Sequence, residues 1–193
     1  MKTMKKLLLI TAALFAVSLA FAQNKPNFGV KAGLNIASED VEDASTNPRT
    51  GIHLGLFAEW MIGNKVDFQA ELLYSMQGGK YKYSSTTYTD KLDYITVPLM
   101  FKIYVNRNRS FSIDVGPQLG YMISAKYSNG STTTNIYDKD NMNKFDASLG
   151  IGISYKFDSG FDLGLRFVAG MTKITDTSDH KNSVVQLGAG YRF

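Results

Sequence analysis

His53 and His180 are the only imidazoles in the chain, and Ser183 follows His180 by three residues. A serine beside a histidine could serve as nucleophile and base, with Asp176 or Asp179 orienting the ring, and such a pair facing lipid would hydrolyse an ester. A spacing of three is common by chance, and no local pattern fixes either aspartate, so no catalytic residue is assigned. The run Asp138-Lys139-Asp140-Asn141-Met142-Asn143 offers oxygen ligands in the manner of a calcium loop. It lacks the glycine at the sixth position and the glutamate at the twelfth that an EF-hand needs, and a solvated turn is the reading adopted. Glu39-Asp40-Val41-Glu42-Asp43 could hold divalent ions bridging lipopolysaccharide phosphates, with a charged soluble loop as the plain alternative. Tyr81, Tyr83, Tyr88, Tyr127 and Tyr137 would suit protein or glycan contacts, or be extended strand ends. With no cysteine there is no disulfide or thiolate site. Neither a metal nor a cofactor site is assigned.

The ionisable residues that do fall into a pattern occupy alternate positions of apolar stretches. Eight such stretches run from Phe28 to Ile36, Ile52 to Ile62, Val66 to Met76, Leu92 to Val105, Phe111 to Ile123, Phe145 to Phe157, Phe161 to Ala169, and Val185 to Phe193. In each, one face is apolar and the other polar or small, the period of a strand with two unlike environments, and no stretch has a helical period. Glu59, Asp67, Glu71, Asp114, Asp146 and Asp162 fall on the polar face together with Lys31, Lys102, Lys156, Arg166 and Arg192. Six acids against five bases nearly cancel. Buried singly they would be ruinous, but inside a closed barrel they can form a structural network of ion pairs and hydrogen bonds. A soluble lipocalin-like barrel would put its apolar side chains inward and its charges in water, the reverse of this arrangement. Ten of the 17 glycines share the polar face, where they relieve crowding beside long charged side chains.

The connections decide the architecture. They alternate long and short: 37 to 51, then 63 to 65; 77 to 91, then 106 to 110; 124 to 144, then 158 to 160; finally 170 to 183. Four long loops at one end and three tight turns with both termini at the other predict an eight-stranded antiparallel up-and-down transmembrane β-barrel, with long extracellular loops and short periplasmic turns. Closure satisfies every backbone hydrogen bond, which an open sheet in lipid could not do. Eight strands leave room only for their own side chains, so a wide pore is not expected. Aromatic residues gather near the turn end (Phe28, Trp60, Phe68, Phe101, Phe111) and the loop end (Tyr74, Tyr121, Phe145, Phe167), as two interfacial girdles would. Pro98 and Pro117 sit within strands and cannot donate to the ladder, so local bulges are expected there.

Lys2, Lys5 and Lys6 precede the apolar run Leu7 to Leu19, and Ala20-Phe21-Ala22 supplies a small-x-small cleavage pattern. Residues 1–22 therefore read as a signal peptide cleaved near Ala22, and 23–193 as one outer-membrane barrel domain. The run is too short to span a bilayer as a helix. Three of the 21 basic residues lie in that leader, so 18 remain against 17 acidic ones, a net of +1. The pI near 9.1 thus gives no support to nucleic-acid binding. The chain ends on Tyr191-Arg192-Phe193, and Tyr191 and Phe193 are the expected insertion signal for the barrel-assembly machinery.

Tyr94-Ile95-Thr96-Val97-Pro98-Leu99 and Asp114-Val115-Gly116-Pro117-Gln118-Leu119-Gly120 resemble strand motifs of the PorT-like outer-membrane β-barrel family. Phe28 to Asn35 and Glu71 to Gly79 are similar to that family's first and third strands. The likeness covers essentially the whole mature chain and implies fold and location, with no catalytic or cofactor motif to carry over. One branch of the family is linked to protein secretion across the outer membrane. The expected function is a non-enzymatic envelope component, a secretion or assembly accessory or a scaffold. The alternative is a surface-interaction protein binding through its loops, and a small pore or lipid-modifying enzyme ranks behind both. Expected partners are outer-membrane lipid and lipopolysaccharide, the insertion machinery, and an envelope or extracellular protein.

Overall fold

The computed structural model describes residues 25–40, 47–83, 86–129, 132–137, 142–174 and 181–193. The predicted signal peptide, residues 41–43 of the acidic run, residues 138–141 of the calcium-like run, Asp176, Asp179 and His180 lie outside the described residues.

Eight long strands form the wall: β1 (Asn27–Asp40), β2 (Asn47–Gly63), β3 (Val66–Gln77), β5 (Thr86–Tyr104), β6 (Phe111–Ser128), β8 (Phe145–Lys156), β9 (Phe161–Gly170) and β10 (Lys181–Arg192). Two short strands, β4 (Gly79–Tyr83) and β7 (Thr133–Asn135), are additions within the segments expected to be loops. Every pairing is antiparallel, and β1 pairs with β2 on one side and β10 on the other, from Gly29↔Arg192 to Asp40↔Lys181, so the sheet returns to its first strand. No edge runs along the wall. That closure is what lets backbone polar groups sit in an apolar medium.

Burial is inverted relative to a soluble domain. On β10, Leu187 is 57% exposed on the outer face, whereas Glu59 on the inner face of β2 is 1% exposed. The outer belt is continuous, with Leu34, Leu56, Leu72, Phe101, Ile113, Ile151 and Leu163 all exposed. Ring contacts run round its tight-turn margin, Trp60 to Phe68 to Phe101 at 5.9 and 5.4 Å and Phe161 to Tyr191 at 4.8 Å. The core is the lumen itself.

Several glycines are required by curvature. A Cβ on Gly55 would lie 1.9 Å from the carbonyl oxygen of Leu72, and one on Gly116 2.0 Å from that of Leu99. At these two positions the obstacle is the neighbouring backbone of a tightly coiled wall, not the long charged side chains invoked from sequence. Gly190 does fit that explanation, since its Cβ would meet the Asp162 carboxylate at 2.8 Å.

The prolines correct another expectation. No register shift occurs at either. On the β3 side of β5 the pairs Ala70↔Leu99 and Leu73↔Thr96 keep one register while the two pairs between them, at Pro98, are absent. Between β5 and β6 the same happens at Pro117, between Pro98↔Gln118 and Phe101↔Val115. The strands simply lose two pairs at each proline, and each proline's missing donor falls at such a gap. The shifts that do occur lie elsewhere, at Asp93/Tyr94 against β6 and at Met61/Gly63 beside a tight turn.

Candidate functional site

Strand alternation brings the sequence-predicted charges into the lumen, where two clusters centred on Glu71 and Glu59 are joined through Gln69 and Lys102. At the middle, Glu71 on β3 accepts from Arg166 Nη2 at 2.6 Å and Nη1 at 3.1 Å, from Lys31 Nζ at 3.0 Å and from Gln69 Nε2 at 2.7 Å. The two-pronged guanidinium contact fixes orientation as well as charge. Toward the tight turns, Glu59 faces Lys156 at 2.7 Å, Lys102 at 3.2 Å and Arg192 at 3.5 Å. Lys102 also donates to Gln69 at 3.2 Å, which ties this cluster to the first.

Two further acids are served by hydroxyls. Asp114 accepts from Ser112 at 2.6 Å and Ser154 at 2.9 Å, and Asp146 from Ser148 at 2.9 Å and Thr172 at 2.8 Å. Asp162 lines a central cavity with Lys31, His53, Lys102 and Arg166. That cavity holds about 10 Å³, room for one water at most.

Sequence reasoning missed Arg109. It sits in the tight turn between β5 and β6 with φ 54°, donates to the carbonyls of Gly63 and Asn64, and forms an ion pair with Asp67. Strand period cannot place a turn residue, and the only signal was its proximity to a strand end. His53 is buried, as its inward phase required, and donates from Nδ1 to Asn35 Oδ1 at 2.8 Å, because the Asn35 amide nitrogen is committed to Ser75 and to the Met76 carbonyl. Ser183 lies on the outer phase of β10, between Ala169 and Ser38 in register.

Toward the long-loop end, apolar side chains gather in the interior. Leu92, Tyr94, Met122, Ala125 and Ile174 form a buried cluster against which Ile136, Tyr137 and Met142 pack. Tyr137 and Met142 belong to segments expected to be solvated surface, but the Asn143 N–H to Ile174 carbonyl bond at 2.8 Å and the Ile136 N–H to Ala125 carbonyl bond at 2.9 Å draw these segments inward. Burying three partly exposed apolar side chains against the cluster is the physical reason.

Above this cluster the sheet continues past the belt. β5 starts nine residues before Ile95, its last lipid-type outward residue, which is about 30 Å along the strand and about 20 Å of height at barrel tilt. Tyr81, Tyr88 and Tyr127 stack on the inner face there, at 5.7 and 5.6 Å. Beside them, burial and the nearby Asp90 push the Glu39 carboxyl up to about 8. Burial pushes Asp90 up to about 6, and burial with Asp90 and Tyr127 raises the Tyr81 hydroxyl above its ordinary value. Among the described residues no group of metal-ligating side chains occurs.

Residues 21–176 match the family described as outer membrane protein beta-barrel domain. The chain belongs to that family. It is an integral outer-membrane β-barrel protein, and the belt and lumen above are its lipid-facing and interior surfaces. Among solved structures it is similar to Ail, the attachment invasion locus protein of Yersinia pestis, at 17% identity over 88% of this chain and 99% of that one, with a TM-score of 0.55. Neisserial surface protein A is similar at 18% identity over 86% and 97%, TM-score 0.53. A major outer membrane protein from Thermus thermophilus is similar at 13% identity over 87% and 99%, TM-score 0.50. These likenesses concern the fold. No curated protein matches the sequence.

Proposed function

We propose that the protein is a non-enzymatic, non-conducting barrel that holds a projecting β-sheet outside the cell as a contact surface for an extracellular or envelope protein. The observation that carries this reading is the sheet of β2, β4, β5, β6 and β7 rising beyond the apolar belt, stiffened by the Tyr81, Tyr88 and Tyr127 stack. A loop that only closed a barrel would not need continued strand pairing from Thr89↔Ser128 to Leu92↔Ala125, nor the β4 and β7 additions. Tyrosine-rich, rigid surfaces give contact area at low entropic cost. The short β7, with Thr133, Thr134 and Asn135 all exposed, offers an edge for added strand pairing. The similar barrels include an attachment invasion locus protein and a surface protein, which agrees in kind with such a role.

The packed lumen supports the non-conducting part. A water-sized cavity among the ion pairs and an apolar cluster toward the long-loop end are the features that favour it. Planar-bilayer recording of the refolded chain should give no discrete conductance steps. Replacing residues 79–90 by a short turn should abolish partner capture while leaving heat-modifiable gel migration intact. Stable single-channel openings, or full capture without the projection, would overturn the reading.

The PorT-like motifs favour a second reading, an accessory to secretion acting through the tight-turn end. In that case removal of the projection would leave secretion intact, and substitutions at Asn64 or Arg107 would impair it.

A further inference from the structure

The outer face of the projection gathers three lysines. Lys91 on β5 and Lys126 on β6 are direct cross-strand partners, and Lys80 on β4 pairs with Thr89 in the next row of the same face. Side chains directly opposite in an antiparallel pair stand about 5 Å apart at Cβ, and like charges so placed repel. Among the described residues no acidic side chain pairs with Lys80, Lys91 or Lys126. The acid on that face, Asp93, is engaged by the Tyr74 hydroxyl and faces Arg49. On the side of the lysine pair away from Asp93 the face carries Thr89 opposite Ser128, and Asn135 lies opposite Lys126.

Their depth is set by the register. Lys91 lies four residues beyond Ile95 and Lys126 three beyond Ile123, the last exposed apolar residues of that face on each strand. Four residues are about 13 Å of strand and about 10 Å of height at barrel tilt. Lysine stems can reach back several ångströms, so the ammonium groups reach the headgroup layer and not open solvent. A repelling pair held at that height by fixed backbone pairing becomes favourable when one anion sits between the two charges.

We propose that Lys91, Lys126 and Lys80 form a docking face for the phosphate groups of an outer-leaflet glycolipid, with the two opposed ammonium groups sharing one phosphate and the hydroxyls of Thr89 and Ser128 flanking it. The occupant is a membrane lipid because the face lies directly above the exposed apolar surface of β5 and β6 that ends at Ile95 and Ile123. The proposal needs the long-loop end to face outward but not the protein partner proposed above, so either can fail alone.

The test titrates fluorescent lipopolysaccharide into the full mature chain refolded in detergent. A lysine near an anionic lipid surface contributes about 1 kcal/mol, so Lys91→Gln with Lys126→Gln should weaken binding roughly 25-fold. Lys91→Arg with Lys126→Arg should retain binding to within about threefold, because charge is what is read. Enzymatically dephosphorylated lipopolysaccharide should bind wild type as weakly as intact lipopolysaccharide binds the glutamine variant. That arm needs no variant and decides the matter if the glutamine form does not refold. Equal affinity for dephosphorylated lipid, unchanged binding by a glutamine variant with normal heat-modifiable migration, or binding of soluble heparin with none of lipopolysaccharide would overturn it.

Discussion

Glu71→Ala removes the acceptor at the centre of the lumen. Its carboxylate receives four hydrogen bonds, three of them from Lys31 and Arg166, and its side chain has no solvent exposure. The substitution leaves an ammonium 13% and a guanidinium 8% exposed with their main counter-charge gone. Breaking such a buried pair from one side costs about 3–5 kcal/mol, mostly the desolvation of the stranded charges. Against a total stability of about 5–15 kcal/mol that is a large fraction. At a urea slope near about 2 kcal/mol per molar the midpoint should fall by about 2 M. The assay is urea unfolding of the bilayer-reconstituted protein, followed by Trp60 fluorescence, since Trp60 is the single tryptophan and lies on the lipid-facing margin. The triple change Lys31→Met, Glu71→Met and Arg166→Met removes all three charges and should recover most of the loss. A Glu71→Ala variant within about 1 kcal/mol of wild type would refute the view that the lumen depends on this cluster.

Other outcomes follow from the same geometry. Gly55→Ala and Gly116→Ala, whose new Cβ atoms would strike backbone carbonyls, should each cost at least about 2 kcal/mol, while Gly63→Ala, with open space around it, should be near neutral in the same titration. Glu39 holds its proton more tightly in the folded projection than in an unfolded chain, so that contribution is complete below about pH 4.5 and is lost as pH rises toward 8. Hydrogen-exchange protection of β4 amides, corrected for intrinsic rates, should therefore fall across that window, and Glu39→Gln should flatten the dependence. Arg109→Ala should destabilise by about 2 kcal/mol through loss of the Asp67 pair and two carbonyl contacts, and a neutral result would remove Arg109 from the interior cluster. Deleting Phe193, 78% exposed at the wall's end, should cut outer-membrane yield while leaving the refolded barrel's stability within about 1 kcal/mol.

The wall was legible because a barrel in lipid imposes period two on both faces at once. Glu59, Glu71 and Arg166 could be assigned inward from alternation alone, and the structure places them in the lumen. What alternation could not reveal begins where the lipid ends. The expected fifth strand stops at Ile123 because an extra residue between Met122 and Ser124 inverts the phase, and β6 in fact runs on to Ser128. Past that point Ala125 and Tyr127 face inward, so the polar and apolar positions no longer match the pattern below. The tyrosines looked like free loop residues for the same reason. Which acids pair with bases and which with hydroxyls was also hidden, since that depends on relative height in a sheared barrel. Asp114 finds Ser112 and Ser154 at its level, whereas Glu59 finds three cations.

The central claim is that this barrel works through the sheet it holds above the membrane. Photo-crosslinking residues placed at Thr134, Ser128 and Thr89 in the projection, and at Asn64 and Arg107 in the tight turns, would test it in growing cells. The account predicts protein adducts from the projection and none from the turns; adducts formed only from Asn64 or Arg107 would contradict it.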